Sequence, residues 1–336
     1  MGLVHERLRR LPAGHDWPPD ICEAIAAGAR AERARELLRQ REISGVLEAL
    51  AQAGVHPILF KGTALAYTVY GSAHLRPRSD TDLLVGRDAV ERIRDVLAGR
   101  GYRAPLYCDG ELLFCQFELA RDDEFGVSHA FDFHWKISTQ TLFADVLTYD
   151  ELAATATSVP ALGPHARAAG LAHALLLACV HPVMHHRNEE RPLWIHDIHV
   201  LASRLTPSEL ERVADLALAR RVGRIVANGL TLARRWFLTP VSETLIARLE
   251  AASPREPSAV YLEPHRRWHD ELASNLKGLD RHADRWRLLR EVLFPPASYM
   301  LKAYGFPPGS FRTLLLPALY LHRGMSGGLR VLGGRK

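Results

Sequence analysis

Apolar and polar positions follow different periods along the chain, and each period predicts an element. Residues 22–53 carry Ala, Leu, Arg and Glu at helical spacing up to Gly54, which predicts one or two helices. The run "HPILF" predicts a short buried strand, and "GTALAYTVYG" predicts a helix closed by Gly71. "DTDLLVG" predicts a second strand, and the amphipathic segment "RDAVERIRDVLAGRG" predicts a helix after it.

Strand alternation occurs twice further along. Apolar residues hold most odd positions of 113–119 and of 127–137, so these segments predict an antiparallel pair joined by the charged turn "ARDDEFG". After Thr139 the pattern is helical to the end, with Pro182 interrupting one helix and "SPREPS" predicted as a linker. The predicted fold class is therefore α+β: an α/β core with a mixed sheet, followed by an α-helical domain.

Length and composition divide the chain further. With 336 residues, 47% apolar and 24% charged, the chain is expected to fold into about two domains rather than remain disordered. We expect N-terminal helices (1–53), a core (54–140), a helical domain (141–252) and a basic C-terminal helical region (253–336). The longest apolar run is far below the ~20 residues of a membrane-spanning helix, so no transmembrane segment is expected.

Cysteine spacing and charge add two expectations. Four scattered cysteines without a C-x-x-C pair favour reduced thiols, and the start of the chain does not resemble a signal peptide, so a cytoplasmic protein is expected. Residues 265–336 contain 13 Lys and Arg against 5 Asp and Glu. This basic C-terminus can bind an acidic partner, nucleic acid or anionic lipid, although a solvated helix face is the favoured interpretation.

Three aspartates form the centre of the predicted site. Asp80 and Asp82 are two residues apart on a strand, so their carboxylates share one face at ~6.6 Å. Asp132 lies on the polar face of a later strand and can supply a third carboxylate. Such oxygen ligands suit Mg²⁺ or Mn²⁺, which also bind substrate phosphates. The alternative is that these aspartates are turn and edge-strand residues.

A second group of residues predicts phosphate binding. Gly62 stands at a strand-to-helix turn, where backbone N–H groups can approach a phosphate, and Thr63 adds a hydroxyl. Lys61, Arg76 and Arg78 are nearby cations that can clamp a triphosphate, with solvated surface positions as the alternative. The stretch 59–85 is therefore predicted to fold a triphosphate cradle against a metal site.

A group of histidines in the helical half is compatible with zinc, but no cysteine or paired glutamate completes a zinc motif. We therefore expect most of them to be exposed or hydrogen-bonded. The group comprises His181, His185, His186, His196 and His199.

The ordered set Gly62-Thr63, Asp80-x-Asp82 and Asp132 resembles the nucleotidyltransferases of the DNA polymerase β superfamily. That superfamily usually has Gly-Gly or Gly-Ser before Asp-x-Asp, so Lys-Gly-Thr is a departure. The segments "LFKGTALAYTVYG", "RPRSDTDLLV", "FDFHWKIS" and "HPVMHHRNEERPLWIHDI" resemble, more narrowly, a poorly characterised bacterial nucleotidyltransferase family with a helical C-terminal half. The resemblance spans about residues 45–205.

This resemblance implies roles for individual residues. Asp80 and Asp82 would bind both metals, and Asp132 would bind the reactive metal and help to deprotonate the acceptor hydroxyl. His134 and Lys136 are expected to contact the substrate, with a surface position as the alternative for His134. The same motifs add four residues to the predicted nucleotide and phosphate contacts: Ser79, Arg191, Trp194 and Asp197. Packing between helices is the alternative for Trp194.

The predicted activity is transfer of a nucleoside monophosphate from an NTP to a hydroxyl-type acceptor, with release of pyrophosphate. The acceptor stays open between a peptide natural product, a small molecule and, as in toxins with a similar sequence pattern, tRNA. A catalytically inactive nucleotide-binding regulator is disfavoured by the three intact aspartates. An RNA-binding module at the basic end would need stacking aromatics, for which Trp268, Trp286 and Tyr299 are available.

Overall fold

The computed structural model describes residues 2–12, 16–104, 115–252, 256–263, 267–306 and 314–332. In this part of the chain six strands form one mixed sheet with the spatial order β3-β4-β2-β1-β6-β5. The strands are β1 (Ile58–Leu59), β2 (Asp80–Leu84), β3 (Gln116–Asp122), β4 (Ser128–His134), β5 (Thr157–Ser158) and β6 (Arg167–Ala168). The mixed sheet and the helices that follow it confirm the predicted α+β class.

The antiparallel pair predicted from the alternating segments is confirmed as β3 and β4. β2 lies between β1 and β4, antiparallel to β1 and parallel to β4, and β3 pairs antiparallel with β4. The expectation of continuous helix after Thr139 is wrong at β5 and β6, since β6 pairs parallel with β1 and β5 extends the sheet. Each of these strands has two residues, too few for an alternating pattern.

Helices pack against the sheet and continue beyond it. Those that precede or interleave with the strands are α1 (Gly2–Leu8), α2 (Pro19–Gln52), α3 (Lys61–Thr68), α4 (Val90–Ala98), α5 (Thr141–Ala144) and α6 (Tyr149–Thr155). Those that follow β6 are α7 (Leu171–His185), α8 (Pro192–Ala202), α9 (Pro207–Ala219), α10 (Gly223–Phe237), α11 (Glu243–Ala252), α12 (Trp268–Lys277), α13 (His282–Leu293), α14 (Ala297–Ala303) and α15 (Leu316–Leu332). The predicted N-terminal helices are thus confirmed, with α2 a single helix. The boundaries proposed between domains stay a prediction.

Alternation along the central strands divides the core in two. Leu83, Phe131 and Phe133 belong to a cluster with α2 and α4, whereas Leu84 belongs to a cluster with α7 to α10. Since Asp82 is two residues from Leu84, its side chain shares the face that α7 covers. The acidic positions of the sheet therefore lie between the sheet and the helical half of the chain.

Two glutamates of α2 are bound to the sheet region. Glu36 accepts hydrogen bonds from the Tyr67 hydroxyl at 2.5 Å and from Arg78 at 2.6 Å. One turn and a half further along, Glu42 accepts a hydrogen bond from Arg121 of β3 at 2.6 Å. Helix α2 is thus joined to the sheet region by charged contacts as well as by its apolar face.

Helix α7 runs through Pro182 instead of being interrupted there. It continues to His185, and the Pro182 carbonyl accepts from the His186 and Asn188 N–H groups beyond the helix end. Proline lacks the N–H that would bind the carbonyl four residues earlier, but it does not prevent one further turn. His181 and His185 therefore lie one turn apart on the same side of α7.

The described part of "SPREPS" is packed and is not a loose linker; residues 253–255 lie outside the described ranges. The Glu256 carboxylate accepts hydrogen bonds at 2.9 Å from the first two N–H groups of α10. Tyr261, in the short 3₁₀ helix that follows, is fully buried, with its ring 5.0 Å from the ring of Phe143. This segment joins α10 to the region around α5.

The C-terminal region is helical where it is described, as predicted. Of the six basic residues after Val292, the structure describes the side chain of Arg323, whose guanidinium lies over the Tyr299 ring at 5.5 Å. The side chains of the other five, and that of Trp268, therefore lie outside the described residues. Within those residues, no helix has the length and apolar character needed to cross a membrane.

A buried ion pair connects the loop before β2 to helix α8. Arg76 donates to both carboxylate oxygens of Asp197 at 2.7–3.0 Å, and the Tyr70 hydroxyl donates to the same carboxylate at 2.7 Å. The two charged side chains are 8% and 5% exposed. Such a pair is destabilising when one partner is left alone, because the remaining charge is buried without compensation.

We expect Arg76→Met to lower the free energy of unfolding by about 3–5 kcal/mol, since it leaves the Asp197 carboxylate buried with Tyr70 alone. The double variant Arg76→Met/Asp197→Leu should be less destabilised than the single one. Urea denaturation measures both. Arg235→Met is the matched control, because its partner Glu190 forms an exposed pair with it and the loss should be below about 1 kcal/mol. Equal losses for Arg76→Met and Arg235→Met would contradict the prediction.

Candidate active site

Two carboxylates meet because β2 and β4 are parallel and in register. Asp82 lies directly beside Asp132, and both project from the face that α7 covers. Asp80, two residues before Asp82, projects from the same face at the edge of the sheet, beside Ala130. The strand geometry thus brings together the three aspartates singled out in the sequence.

Three cationic or polar side chains lie against these carboxylates. Lys61 donates from Nζ to Asp82 Oδ1 at 2.7 Å. His134 Nε2 lies 3.1 Å from the same oxygen and 3.2 Å from Asp132 Oδ2. Gln116 on β3 also donates to Asp132 Oδ2, at 3.1 Å. The second oxygen of Asp132, Oδ1, is buried and has no hydrogen-bond partner among the described residues.

The pKa values of neighbouring carboxylates move in opposite directions. Burial alone would raise the pKa of Asp82, but the Lys61 charge and the His134 hydrogen bond outweigh it and hold the pKa below its usual range. Burial, together with the charges of Asp82 and Asp132, raises the pKa of Asp80 to about 6. Asp82 is therefore ionised at neutral pH, while Asp80 takes up a proton in mild acid.

His134 is almost fully buried, at 1% exposure, and is not the surface residue considered as an alternative. Its ring packs edge-on against Phe60 at 5.0 Å, which fixes its orientation. Burial and Lys61 act to lower the pKa of His134, but Asp132 and Asp82 outweigh them and raise it. Within the described residues its Nδ1 has no hydrogen-bond partner.

The turn from β1 into α3 has an unusual backbone at Lys61. Lys61 has φ +54°, a left-handed conformation that a non-glycine residue adopts at a cost of about 1–2 kcal/mol. At Gly62 the backbone is not left-handed, and an added Cβ would meet Arg76 and Arg78 only at ordinary contact distances of 3.6 Å. The fold itself therefore does not demand glycine at this position.

Several predicted phosphate contacts have partners within the protein. Arg78 donates to the Thr63 hydroxyl at 2.9 Å and to Glu36, and the Thr63 hydroxyl donates to the Asp80 carbonyl at 3.1 Å. Arg76 and Asp197 are paired with each other, whereas Ser79 is exposed. These contacts hold the loop in front of Asp80 in place. Phosphate binding by these residues stays a prediction.

Three further residues were predicted to contact the nucleotide or the substrate: Lys136, Arg191 and Trp194. Lys136 pairs with Asp145 at 3.1 Å, beyond the end of β4. Arg191 pairs with Glu189 at 2.8 Å and lies over the Trp194 ring at 4.6 Å. Trp194 also packs against histidines of the preceding segment, so packing is one established part of its role.

A cluster of three histidines and Trp194 faces the carboxylates from the helical half. We call it the histidine wall: His181, His185, His186 and Trp194. Ring centroids of Trp194 lie 4.3 Å from His186 and 5.6 Å from His181. Burial, followed by the charge of Lys61, lowers the pKa of His181 and brings that of His185 to about 3, so both imidazoles are neutral.

Two members of the wall have free buried nitrogens, contrary to the expectation of exposed or hydrogen-bonded histidines. His181 Nδ1 and His185 Nε2 have no hydrogen-bond partner among the described residues. Sequence reasoning missed their proximity to the site, although their spacing of four residues is a helical signal. It also missed Glu36, Gln116 and Tyr70, for which the sequence carries no local signal.

The residues present fit a divalent cation. Asp82, Asp132 and His134 each offer a ligand atom, and these atoms all lie within 4.8 Å of one another. The unpartnered Oδ1 of Asp132 is the kind of buried acceptor that a cation satisfies. Asp80 contributes negative charge at the edge of this group. In the described residues the candidate metal group thus comprises two aspartates and a histidine, and the described part of 181–199, where zinc was disfavoured, holds no such group.

Asp80→Asn should stabilise the metal-free protein at pH 8 by about 1–3 kcal/mol. The pKa of Asp80 is about 6 in the folded protein and ~3.9 in an unfolded chain, so between pH 4 and 6 the folded state holds more protons. Stability from this group therefore falls as pH rises through that window, and the charge at pH 8 is unfavourable. Urea denaturation in a chelator at pH 8 and pH 4 measures the difference.

The matched change Asp82→Asn should have the opposite sign at pH 8. The pKa of Asp82 is lowered in the folded state, so its ionised form adds stability above pH 4 and loses it in more acidic solution. Stabilisation by both substitutions, or by neither, would contradict this assignment of charges.

Comparison with known proteins supports the chemistry of the site. A search among curated proteins finds no match. Among solved structures, JHP933 from Helicobacter pylori matches with 12% identity over 68% of this chain and 92% of that chain, at a TM-score of 0.35, too low to compare the two sites. The family described as uncharacterised nucleotidyltransferase matches residues 1–238, a longer span than the 45–205 expected from the motifs. The chain therefore belongs to this nucleotidyltransferase family.

Proposed function

We propose that the protein transfers a nucleoside monophosphate from an NTP to a hydroxyl-type acceptor and releases pyrophosphate. The observation that carries this proposal is the in-register pair Asp82 and Asp132, with an unpartnered carboxylate oxygen, next to the turn at Lys61 and Gly62. Carboxylates on adjacent strands beside a strand-to-helix turn suit phosphoryl chemistry, because phosphates and cations bind there together.

Asp82, Asp132 and His134 would hold the divalent cation, Mg²⁺ or Mn²⁺, with the Asp80 charge nearby. When bound, such a cation neutralises the phosphate oxygens and stabilises the charge that develops during displacement. The low pKa of Asp82 keeps this carboxylate ionised at every physiological pH. The protein thus provides a permanently charged ligand in a largely buried position.

Lys61 and Gly62 are proposed to bind the triphosphate. In the described structure Lys61 Nζ contacts Asp82, so its ammonium lies at the junction of the carboxylates and the turn. Gly62 lies in the first turn of α3, where backbone N–H groups of a helix favour an anion and the missing side chain permits its close approach. Ser79 is exposed on the loop opposite and can add a hydroxyl.

Asp132 is proposed to receive the proton of the acceptor. Its Oδ1 has no partner in the described residues, whereas Oδ2 already accepts from Gln116. As the acceptor oxygen forms a bond to the α-phosphorus, its proton passes to Asp132 Oδ1. The bond between the α-phosphorus and the bridging oxygen breaks, and pyrophosphate leaves with that electron pair.

The histidine wall supports a neutral acceptor, such as a small molecule or a peptide with a hydroxyl group. His181 and His185 are uncharged and offer free buried nitrogens, which suit hydrogen bonds to neutral polar groups. Arg76 and Arg78, by contrast, are tied to Asp197 and Glu36, so they are not free to bind a polyanion. The cytoplasm, where NTPs are abundant, is the proposed compartment.

Transfer to a tRNA end is the alternative that the basic C-terminal surplus favours. Residues 265–336 have eight more basic than acidic residues, and binding through them would depend steeply on salt. An acidic protein partner would use the same surface.

We expect Asp132→Asn to keep NTP binding within a few-fold and to lower turnover by at least ~10²-fold, equal to ~2.7 kcal/mol on the barrier. The reason is that Asp132→Asn keeps an amide oxygen for the cation but removes the base that takes the acceptor proton, whereas Asp82→Asn removes the permanently ionised ligand and should abolish cation-dependent NTP binding and transfer together. Calorimetric titration of NTP with Mg²⁺ or Mn²⁺ and release of pyrophosphate measure the two effects.

Asp122→Asn is the matched control, since Asp122 is an exposed aspartate at the end of β3 and should not affect either quantity. Full turnover of Asp132→Asn would show that the third carboxylate is misassigned, with Glu118, opposite Asp132 on β3, as the next residue to examine. Full turnover of Asp82→Asn would refute the proposed function.

With α-phosphate-labelled NTPs and an extract of host cells, we expect the label on a small molecule or peptide, because the site offers neutral hydrogen-bonding groups. Removal of residues 314–336 should then leave NTP binding unchanged, since α15 packs against α13 and α14 rather than the sheet. Gel and mass-spectrometric analysis of the labelled product measures the outcome. Label on tRNA, lost at high salt and on truncation, would instead establish the tRNA alternative.

A further inference from the structure

A ring nitrogen occupies the space between the two in-register carboxylates. His134 Nε2 is 3.1 Å from Asp82 Oδ1 and 3.2 Å from Asp132 Oδ2. Donor atoms at right angles around a shared cation ~2.1 Å away are themselves ~3.0 Å apart. His134 Nε2 therefore lies at ligand spacing from one oxygen of each aspartate, although the same spacing fits hydrogen bonds from Nε2–H.

The surroundings of His134 hold this nitrogen in place. His134 follows Asp132 by two positions on β4, so both project from one face, and Asp82 lies beside them in register. The ring is 1% exposed and is fixed by its edge-on contact with Phe60. A ligand held by packing in this way needs little rearrangement when a cation binds.

Hydrogen bonding alone does not satisfy the polar atoms of this group. One Nε2–H shared by two carboxylates leaves Asp132 Oδ1 and His134 Nδ1 buried without partners in the described residues. Buried polar atoms in proteins are nearly all paired, so the orphaned Asp132 Oδ1, on the same carboxylate as the proposed ligand atom Oδ2, indicates a bound species that the protein alone does not supply.

We propose that His134 is a nitrogen ligand of the catalytic cation, and that the site binds Mn²⁺ in preference to Mg²⁺. Imidazole nitrogen suits first-row transition ions, whereas Mg²⁺ demands oxygen ligands in a regular octahedron. Among the transition ions, Mn²⁺ also accepts carboxylate and phosphate oxygens readily. The inference rests on the proposed function, and it replaces the three-carboxylate ligand set by two aspartates and one histidine.

Pulsed electron paramagnetic resonance on the full chain loaded with Mn²⁺ tests the ligand directly. We expect a nitrogen coupling to the Mn²⁺ electron spin in the wild-type protein, and we expect it to disappear in His134→Gln. His129→Gln is the matched control, because His129 is a second buried histidine of β4 that pairs with Asp123 outside the ligand group, and the coupling should persist. Circular dichroism checks that His134→Gln is folded. Loss of the nitrogen coupling in the second variant His134→Asn as well would exclude misfolding of one variant as the cause of the loss.

The ratio of Mn²⁺ to Mg²⁺ affinity separates a ligand from a residue that only orients the carboxylates. We expect His134→Gln to lower this ratio by at least about tenfold, because it removes the ligand that favours Mn²⁺. Loss of a purely orienting hydrogen bond would weaken both ions in parallel by about 10- to 100-fold and leave the ratio unchanged. Titration calorimetry measures both affinities without any need for the acceptor.

Two further outcomes have distinct meanings. Mn²⁺ bound without nitrogen coupling, yet lost in Asp82→Asn, would overturn the role of His134 and leave the proposed function in place. Failure of the wild-type protein to bind either cation, with or without NTP, would overturn both.

Discussion

The parallel pairing of β2 and β4 brings Asp82 against Asp132, and much of the surrounding structure compensates for the repulsion between these carboxylates. Lys61 approaches Asp82 from a backbone conformation that is itself unfavourable. His134 is placed between the two acids. Local strain and buried charge are tolerated in proteins where the wider fold over-determines them, and such features concentrate at functional sites. Here the sheet register fixes the face and the neighbours of these side chains.

Two arginines hold the loop before β2 in place. Arg78 is held by Glu36 of α2, and Arg76 is held by Asp197 of α8, so the loop is anchored from both sides. This loop leads directly into Asp80, whose ionised form is disfavoured by burial and by the charges of Asp82 and Asp132. The position of the carboxylates is therefore set by contacts to two helices that are far apart in the sequence.

The sequence allowed the central strands and their carboxylates to be predicted because the evidence is local. A period of two places Asp80, Asp82 and Leu84 on one face, and a glycine after an apolar run marks the turn into α3. Ion pairs between residues far apart in the sequence could not be predicted, because nothing near Arg76 indicates a partner 121 residues away. Alternation also cannot tell a solvated face from one covered by a helix, so the burial of His134 and the free nitrogens of His181 and His185 were missed. The two-residue strands β5 and β6 are below the length at which any period can be recognised.

The contacts of α2 have a consequence for how this chain can be divided and recombined. Its apolar face contributes Ile43, Val46 and Leu47 to the core behind the sheet, and its glutamates neutralise arginines of the sheet region. A gene fusion or a fragment that begins at residue 54 would expose that core and leave Arg78 buried without its carboxylate. Such a fragment would lack the helix whose apolar face shares a core with β2 and β4. The first helices and the sheet should therefore be inherited together. Exchange of segments between related genes should be tolerated only where the crossover points lie outside this unit.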